Sequence, residues 1–160
     1  MKKKILVSAC LYGECTKYDG THNILKNPFF LQWKNRGELI PVCPEMLGGL
    51  PTPRTCCELC NGKVINTNGD DVTENFNKGA EETLKIAKEN NVLFAILKQG
   101  SPSCGCKEIY DGTFSGKKIA GAGVTARLLL DNGIVVFDED DIGLAHLLYA
   151  HAGQKHHHHD

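Results

Sequence analysis

The stretch Lys4-Ile-Leu-Val-Ser-Ala-Cys10 is a short apolar run that ends in a cysteine. Such a run is typical of a β-strand that is buried on both faces of a parallel sheet. Two further runs, 38–42 and 92–97, have the same character, and each precedes a cysteine. Because open α/β sheets bind ligands outside the carboxyl ends of their strands, we expect three thiols to meet in one pocket, those of Cys10, Cys43 and Cys104.

Helical segments alternate with these apolar runs. The clearest one begins near Thr73, the predicted N-cap, and repeats apolar residues at helical spacing. A fourth buried strand is predicted at 134–137. Four helices are predicted, at residues 28–35, 73–90, 123–132 and 140–150. This alternation favours an α/β fold in which helices flank a mostly parallel sheet.

Two long segments carry turn-forming residues rather than a periodic pattern. Residues 8–23 and 44–62 are therefore predicted to be loops, and the length of the second is typical of a functional loop. The dipeptide Asn68-Gly69 is a hairpin signal next to 64–67. A short β excursion is expected within 109–121.

The composition suits one domain that acts on a small substrate. The chain has 160 residues and a formal charge of −1, which gives no electrostatic footprint for a long nucleic acid. The predicted domain covers 1–153, and 154–160 is interpreted as a tag remnant or disordered tail because it holds four consecutive histidines. No signal peptide or membrane span is recognisable, so a cytoplasmic location is expected.

The chain contains eight cysteines, which are hard to explain as disulfides in a reducing compartment. Metal ligation or thiol chemistry is the better interpretation. Cys43 lies between Pro41 and Pro44, which restrict the local backbone and remove amide donors. Glu45 follows on the same loop and is a candidate functional carboxylate, although an ordinary surface carboxylate is an equally good interpretation.

The segment Gln99-Gly-Ser-Pro-Ser-Cys-Gly105 is the third candidate site. Its glycines permit a tight turn whose backbone N–H groups could stabilise thiolate charge. The hydroxyls of Ser101 and Ser103 could bind sulfur or a substrate. A competing interpretation is a structural zinc held by four cysteines in two close pairs: the Cys-x-x-Cys pair within Cys56-Cys57-Glu-Leu-Cys60, and Cys104 with Cys106.

Several separated motifs together resemble the DUF523 family, which includes thiouracil desulfurases. The resemblance runs in the same order from about Lys4 to Phe137. It is carried by Ser8-Ala-Cys-Leu-Tyr-Gly13, Tyr18-Asp-Gly20, Pro41-Val-Cys-Pro-Glu-Met-Leu-Gly-Gly49, Pro51-Thr-Pro-Arg54, Ser101-Pro-Ser-Cys-Gly105 and Ile109-Tyr-Asp-Gly-Thr-Phe114.

This resemblance implies a Rossmann-like domain that binds a 4Fe-4S cluster through Cys10, Cys43 and Cys104 and leaves one iron without a protein ligand. It also implies removal of sulfur from a thiolated pyrimidine such as 2-thiouracil, giving uracil and hydrogen sulfide. Glu45 would act as general acid and base, and Ser101 would position the substrate or water. The expected substrate is a small thiolated base or nucleoside.

The additional thiols leave two alternatives open. One of them could occupy the fourth iron, or they could accept the released sulfur as a persulfide. The alternative to an enzyme is a non-catalytic iron-sulfur or zinc module that serves in redox sensing or structure.

Overall fold

A computed structural model describes residues 3–13, 25–51, 57–60, 62–99, 103–105, 108–110, 112, 114 and 118–157. Its centre is a sheet of four parallel strands, β1 (Ile5–Ser8), β2 (Leu39–Val42), β5 (Ala95–Leu97) and β8 (Val136–Asp138). Across the sheet these strands lie in the order β2-β1-β5-β8. The predicted α/β class, a Rossmann-like domain with a mostly parallel sheet flanked by helices, is confirmed.

The helices cover the sheet on both faces, which explains why its strands read as continuous apolar runs. They are α1 (Ala9–Tyr12), α2 (Pro28–Asn35), α3 (Pro44–Leu47), α4 (Thr73–Glu89), α5 (Val124–Asp131) and α6 (Ile142–His157). In the described part of the chain, none of these helices is long and apolar enough to cross a membrane.

Successive residues of β1 enter two separate hydrophobic cores, because side chains alternate across a strand. Ile5 and Val7 lie in the core that α2 and α6 cover, together with Phe30, Trp33 and Tyr149. Leu6 lies in the core that α4 and α5 cover. The apolar run of residues 5–7 is therefore the strip of backbone that both cores share.

Two segments predicted to be loops contain regular structure. Residues 9–12 form the single turn α1, and residues 44–47 form the single turn α3. The segment 44–62 also contributes β3 (Cys57–Cys60), which pairs antiparallel with β4 (Lys63–Asn66). The prediction of loops throughout these segments was wrong because one-turn helices and short strands carry no periodic pattern of useful length.

At the hairpin predicted around Asn68-Gly69, the described residues form one isolated β-bridge, between Ile65 and Asp71. The extended partner of β4 is β3, which precedes it in the chain. The predicted β excursion is confirmed as a second antiparallel pair, β6 (Glu108–Tyr110) with β7 (Lys118–Ala120). Glu58 connects the two pairs, since its Oε1 accepts hydrogen bonds from the backbone N–H of Gly112 (2.9 Å) and of Phe114 (3.2 Å).

The start of α4 differs from the prediction in its capping residue. Thr73 is the first helical residue, and the Asp71 carboxylate accepts the hydrogen bond from its N–H (2.9 Å). The Thr73 hydroxyl instead accepts a hydrogen bond from the backbone N–H of Val64 (2.9 Å). The side chain that was predicted to cap the helix therefore connects it to β4.

Tyr149 provides a polar contact at the edge of the first core. Its hydroxyl donates to the buried carboxylate of Glu38, with both oxygens at 2.9 Å, and accepts from the Arg36 guanidinium (3.1 Å). Burial, followed by the hydrogen bond to Glu38, raises the pKa of Tyr149 above its ordinary value of 10.0. The fold therefore favours the protonated phenol.

Tyr149→Phe should lower the free energy of unfolding at pH 7 by about 1–3 kcal/mol, because the Glu38 carboxylate loses a donor inside the protein. Above pH 10 the unfolded wild type loses the phenolic proton that the folded state retains, so wild-type stability falls with rising pH. The difference between the two proteins should shrink over that range in urea titrations. Tyr12→Phe is the matched control, and an equal loss of stability in it would contradict the assignment.

Two helices approach so closely that only glycine fits at their contact. A Cβ on Gly79 of α4 would lie 1.9 Å from the backbone oxygen of Pro44, and a Cβ on Gly48 would lie 1.9 Å from that of Asn75. The Asn75 side chain also donates to the Gly48 oxygen (2.9 Å). This backbone contact sets the position of α3, the turn that follows Cys43.

Gly79→Ala should therefore destabilise the protein by at least about 1–3 kcal/mol, because backbone atoms must move apart to admit the methyl group. Gly143→Ala on α6 is the matched control, since no atom lies within 4 Å of its added Cβ, and it should stabilise by about 0.5–1 kcal/mol. Thermal melts of the two variants check the prediction. Equal melting temperatures would show that the α3–α4 contact is not tight.

Candidate functional site

The carboxyl ends of the four parallel strands carry a row of chemically active residues. Cys43 follows β2 directly, and Cys10 comes two residues after β1. Lys98 follows β5 directly, and Glu139 follows β8 directly. The strand order β2-β1-β5-β8 therefore places these four residues in the sequence Cys43, Cys10, Lys98, Glu139 along one edge of the sheet.

Cys43 is the N-cap of α3 and is half-buried. Its carbonyl accepts from the N–H of Leu47 (2.9 Å), and the carbonyl of Glu45 accepts from the N–H of Leu50 (3.0 Å). Glu45 lies in the first turn of this helix, where a carboxylate is favoured. A single turn, fixed by the glycine contacts with α4, therefore positions both the thiol and the carboxylate.

Cys104 is buried beside the N-terminus of α5. The Ser103 carbonyl accepts hydrogen bonds from the N–H groups of Thr125 (2.8 Å) and Ala126 (3.0 Å), and the Gly105 carbonyl accepts from Gly123 (2.7 Å). The hydroxyls of Ser103 and Thr125 also lie 2.6 Å apart. The two neighbours of Cys104 thus satisfy helical N–H groups that would otherwise have no partner.

The structure places the three thiols at one edge of the sheet, since Cys10 and Cys43 follow the neighbouring strands β1 and β2, and Cys104 is hydrogen-bonded to Ser8 at the end of β1. Burial, then the Glu45 carboxylate, raises the pKa of Cys10 to about 11, and Cys43 adds to the increase. Burial, then Glu45, also raises the pKa of Cys104, and Cys43 and Cys10 add to it. The Ser8 hydroxyl opposes this by donating a hydrogen bond to the Cys104 sulfur. Without a cation Cys10 and Cys104 are neutral thiols, because burial and nearby negative charge both disfavour thiolate.

This donor set suits a soft, positively charged metal centre, which binds thiolates and displaces their protons. Within the described ranges, no three Cys, His, Asp or Glu side chains form a group that could hold one metal ion. A polynuclear cluster has a different requirement, because its cysteines bind different irons and need not surround one point.

Sequence reasoning missed Ser8, Lys98 and Glu139. The Ser8 Oγ accepts a hydrogen bond from the backbone N–H of Lys98 (2.9 Å). The Lys98 ammonium and the Glu139 Oε2 form an ion pair at 2.7 Å. All three residues lie at or directly after the end of a buried strand, which is the position that identified the candidate cysteines. They were not predicted because they are not thiols.

Some predicted residues lie outside the described part of the chain. These are Ser101, the candidate for positioning substrate or water, and also Cys56 and Cys106. Cys57 begins β3 and Cys60 ends it. The zinc alternative, which needs Cys106, stays a prediction.

Comparison with known proteins shows the family of this chain. Residues 5–141 match the family described as 2-thiouracil desulfurase. The uncharacterized protein YbbK of Bacillus subtilis strain 168 is 43% identical over 148 residues, which cover 86% of this chain and 97% of YbbK.

A solved structure, described as the 4Fe-4S-dependent thiouracil desulfidase TudS (DUF523Vcz), superposes with a TM-score of 0.91. It is 42% identical to this chain, and the match covers 93% of this chain and 99% of TudS. These comparisons confirm the resemblance read from the motifs. The chain belongs to the 2-thiouracil desulfurase family.

Proposed function

We propose that this protein is an iron-sulfur-dependent desulfurase that removes the sulfur of a small thiolated pyrimidine, such as 2-thiouracil or a related nucleoside. The observation that carries the proposal is the convergence of Cys10, Cys43, Cys104 and the Glu45 carboxylate at one edge of the sheet. In this assignment the three cysteines hold a 4Fe-4S cluster. Family membership and the likeness to TudS support the choice of cofactor and reaction.

When bound, such a cluster supplies a sulfur-seeking Lewis acid that polarises a thiocarbonyl bond. The protein must then deliver water to the carbon atom and move protons. As a carboxylate, Glu45 takes a proton from the attacking water, and it returns that proton to the departing sulfur. The overall reaction converts the thiocarbonyl compound and water into the carbonyl compound and hydrogen sulfide, with no net electron transfer.

Glu45 lies close to two of the proposed cluster ligands. It interacts electrostatically with both Cys10 and Cys104 while its backbone is fixed in the first turn of α3. A carboxylate held close to the ligand thiols is within the region where a bound substrate would carry its sulfur. We also assign Ser101, which lies on the segment that leads to Cys104, as the residue whose hydroxyl positions the substrate or water.

Anaerobic reconstitution with iron and sulfide should give a brown protein that contains acid-labile sulfide. Incubation with 2-thiouracil should then release hydrogen sulfide and uracil, measured by a sulfide assay and by chromatography. Brown protein without sulfide release would favour the non-catalytic iron-sulfur module. A colourless protein that holds zinc through four thiolates would eliminate the desulfurase.

Glu45→Gln should keep the iron and sulfide content of the wild type and lower kcat about 10²- to 10⁴-fold, because the amide cannot transfer the proton. Glu82→Gln, on the exposed face of α4, is the matched control and should retain wild-type turnover. Loss of iron in Glu45→Gln would show instead that the carboxylate has a structural role.

A further inference from the structure

The ion pair at the ends of β5 and β8 belongs to no part of the mechanism described above. Lys98 Nζ lies 2.7 Å from Glu139 Oε2, and the two side chains are 28% and 14% exposed. Because the Glu139 side chain is largely buried, its carboxylate depends on the lysine as its partner. The pair therefore holds the lysine ammonium at a fixed place on this edge of the sheet.

Both ends of Lys98 are held in place. Its backbone N–H donates to Ser8 Oγ (2.9 Å), and the Ser8 hydroxyl hydrogen-bonds Cys104. Glu139 Oε2 pairs with the Lys98 ammonium, while Glu139 Oε1 accepts from the N–H of Gln99 (2.8 Å). One carboxylate thus fixes the direction of the lysine side chain and the start of the segment that leads to Cys104.

The lysine charge acts on the thiol site. Lys98 follows β5, which pairs directly with β1, and β1 leads to Cys10. The Lys98 ammonium therefore belongs to the strand edge that carries Cys10, with the Glu139 carboxylate beside it. It therefore opposes the concentration of negative charge that three thiolates and two carboxylates would create.

We propose that Lys98 is a positioning residue of the cluster site, whose ammonium offsets the negative charge of the ligating thiolates, and that Glu139 holds this ammonium in place. The inference rests on the proposed function, because it assigns the pair to the same cluster. Lys98 stabilises the bound cluster and raises its reduction potential, since a nearby positive charge favours the form that has gained an electron.

The test compares anaerobically reconstituted wild type with Lys98→Met, Lys98→Arg and Glu139→Gln. Lys98→Met should lose iron to a chelator roughly tenfold faster, as is usual when a group that supports metal ligands is removed, and its reduction potential should become more negative. Glu139→Gln releases the ammonium but keeps its charge in the protein, so it should lose iron faster than wild type and more slowly than Lys98→Met. Lys98→Arg retains the charge and should restore both properties.

Lys88→Met on the exposed face of α4 is the matched control and should leave the iron content and the potential unchanged. Thermal melts of the cluster-free proteins verify that each variant folds. An unchanged potential in Lys98→Met, equal behaviour of Lys98→Arg and Lys98→Met, or iron loss in Glu139→Gln at the wild-type rate would each overturn the inference. A wild-type protein that takes up no iron and sulfide would overturn the proposed function itself, and with it this assignment.

Discussion

The parallel pairing of β1 with β2 and β5 is the constraint on which the site depends. The register pairs Ile5 with Leu39 and Leu6 with Ala95, so the three strands end at the same edge. Burial of β1 between two cores leaves this register little freedom, because a slip of one residue would exchange the side chains of the two faces. Residues that are far apart in the chain thereby become neighbours.

Two physical requirements conflict at this site. Burial of Cys10 and Cys104 favours neutral thiols, whereas ligation of a metal requires thiolates. The Ser8 hydrogen bond and the Lys98 charge favour the thiolate, but they do not overcome burial, and both thiol pKa values stay raised. A cationic centre supplies the missing positive charge. The same burial that makes the thiols inert without a metal would shield a bound centre from solvent.

The sequence was sufficient to predict the central sheet and the strand ends that carry Cys10 and Cys43. These features depend on continuous apolar runs, which are visible in one dimension. The turns α1 and α3 could not be predicted, since four residues show no helical period. The role of Lys98 was also hidden, because its partners Ser8 and Glu139 lie 90 and 41 positions away in the chain, and only the fold brings them together.

The hydrogen bonds from α5 to the carbonyls of Ser103 and Gly105 connect cofactor binding with the order of a helix. The residues on either side of Cys104 act as the N-terminal cap of α5, so the backbone at this cysteine cannot shift without exposing helical amides. Free energy gained at the sulfur is thus shared with the first turn of the helix, and both belong to one cooperative folding unit. In such a unit, the binding of a ligand to the thiol would slow hydrogen exchange along α5.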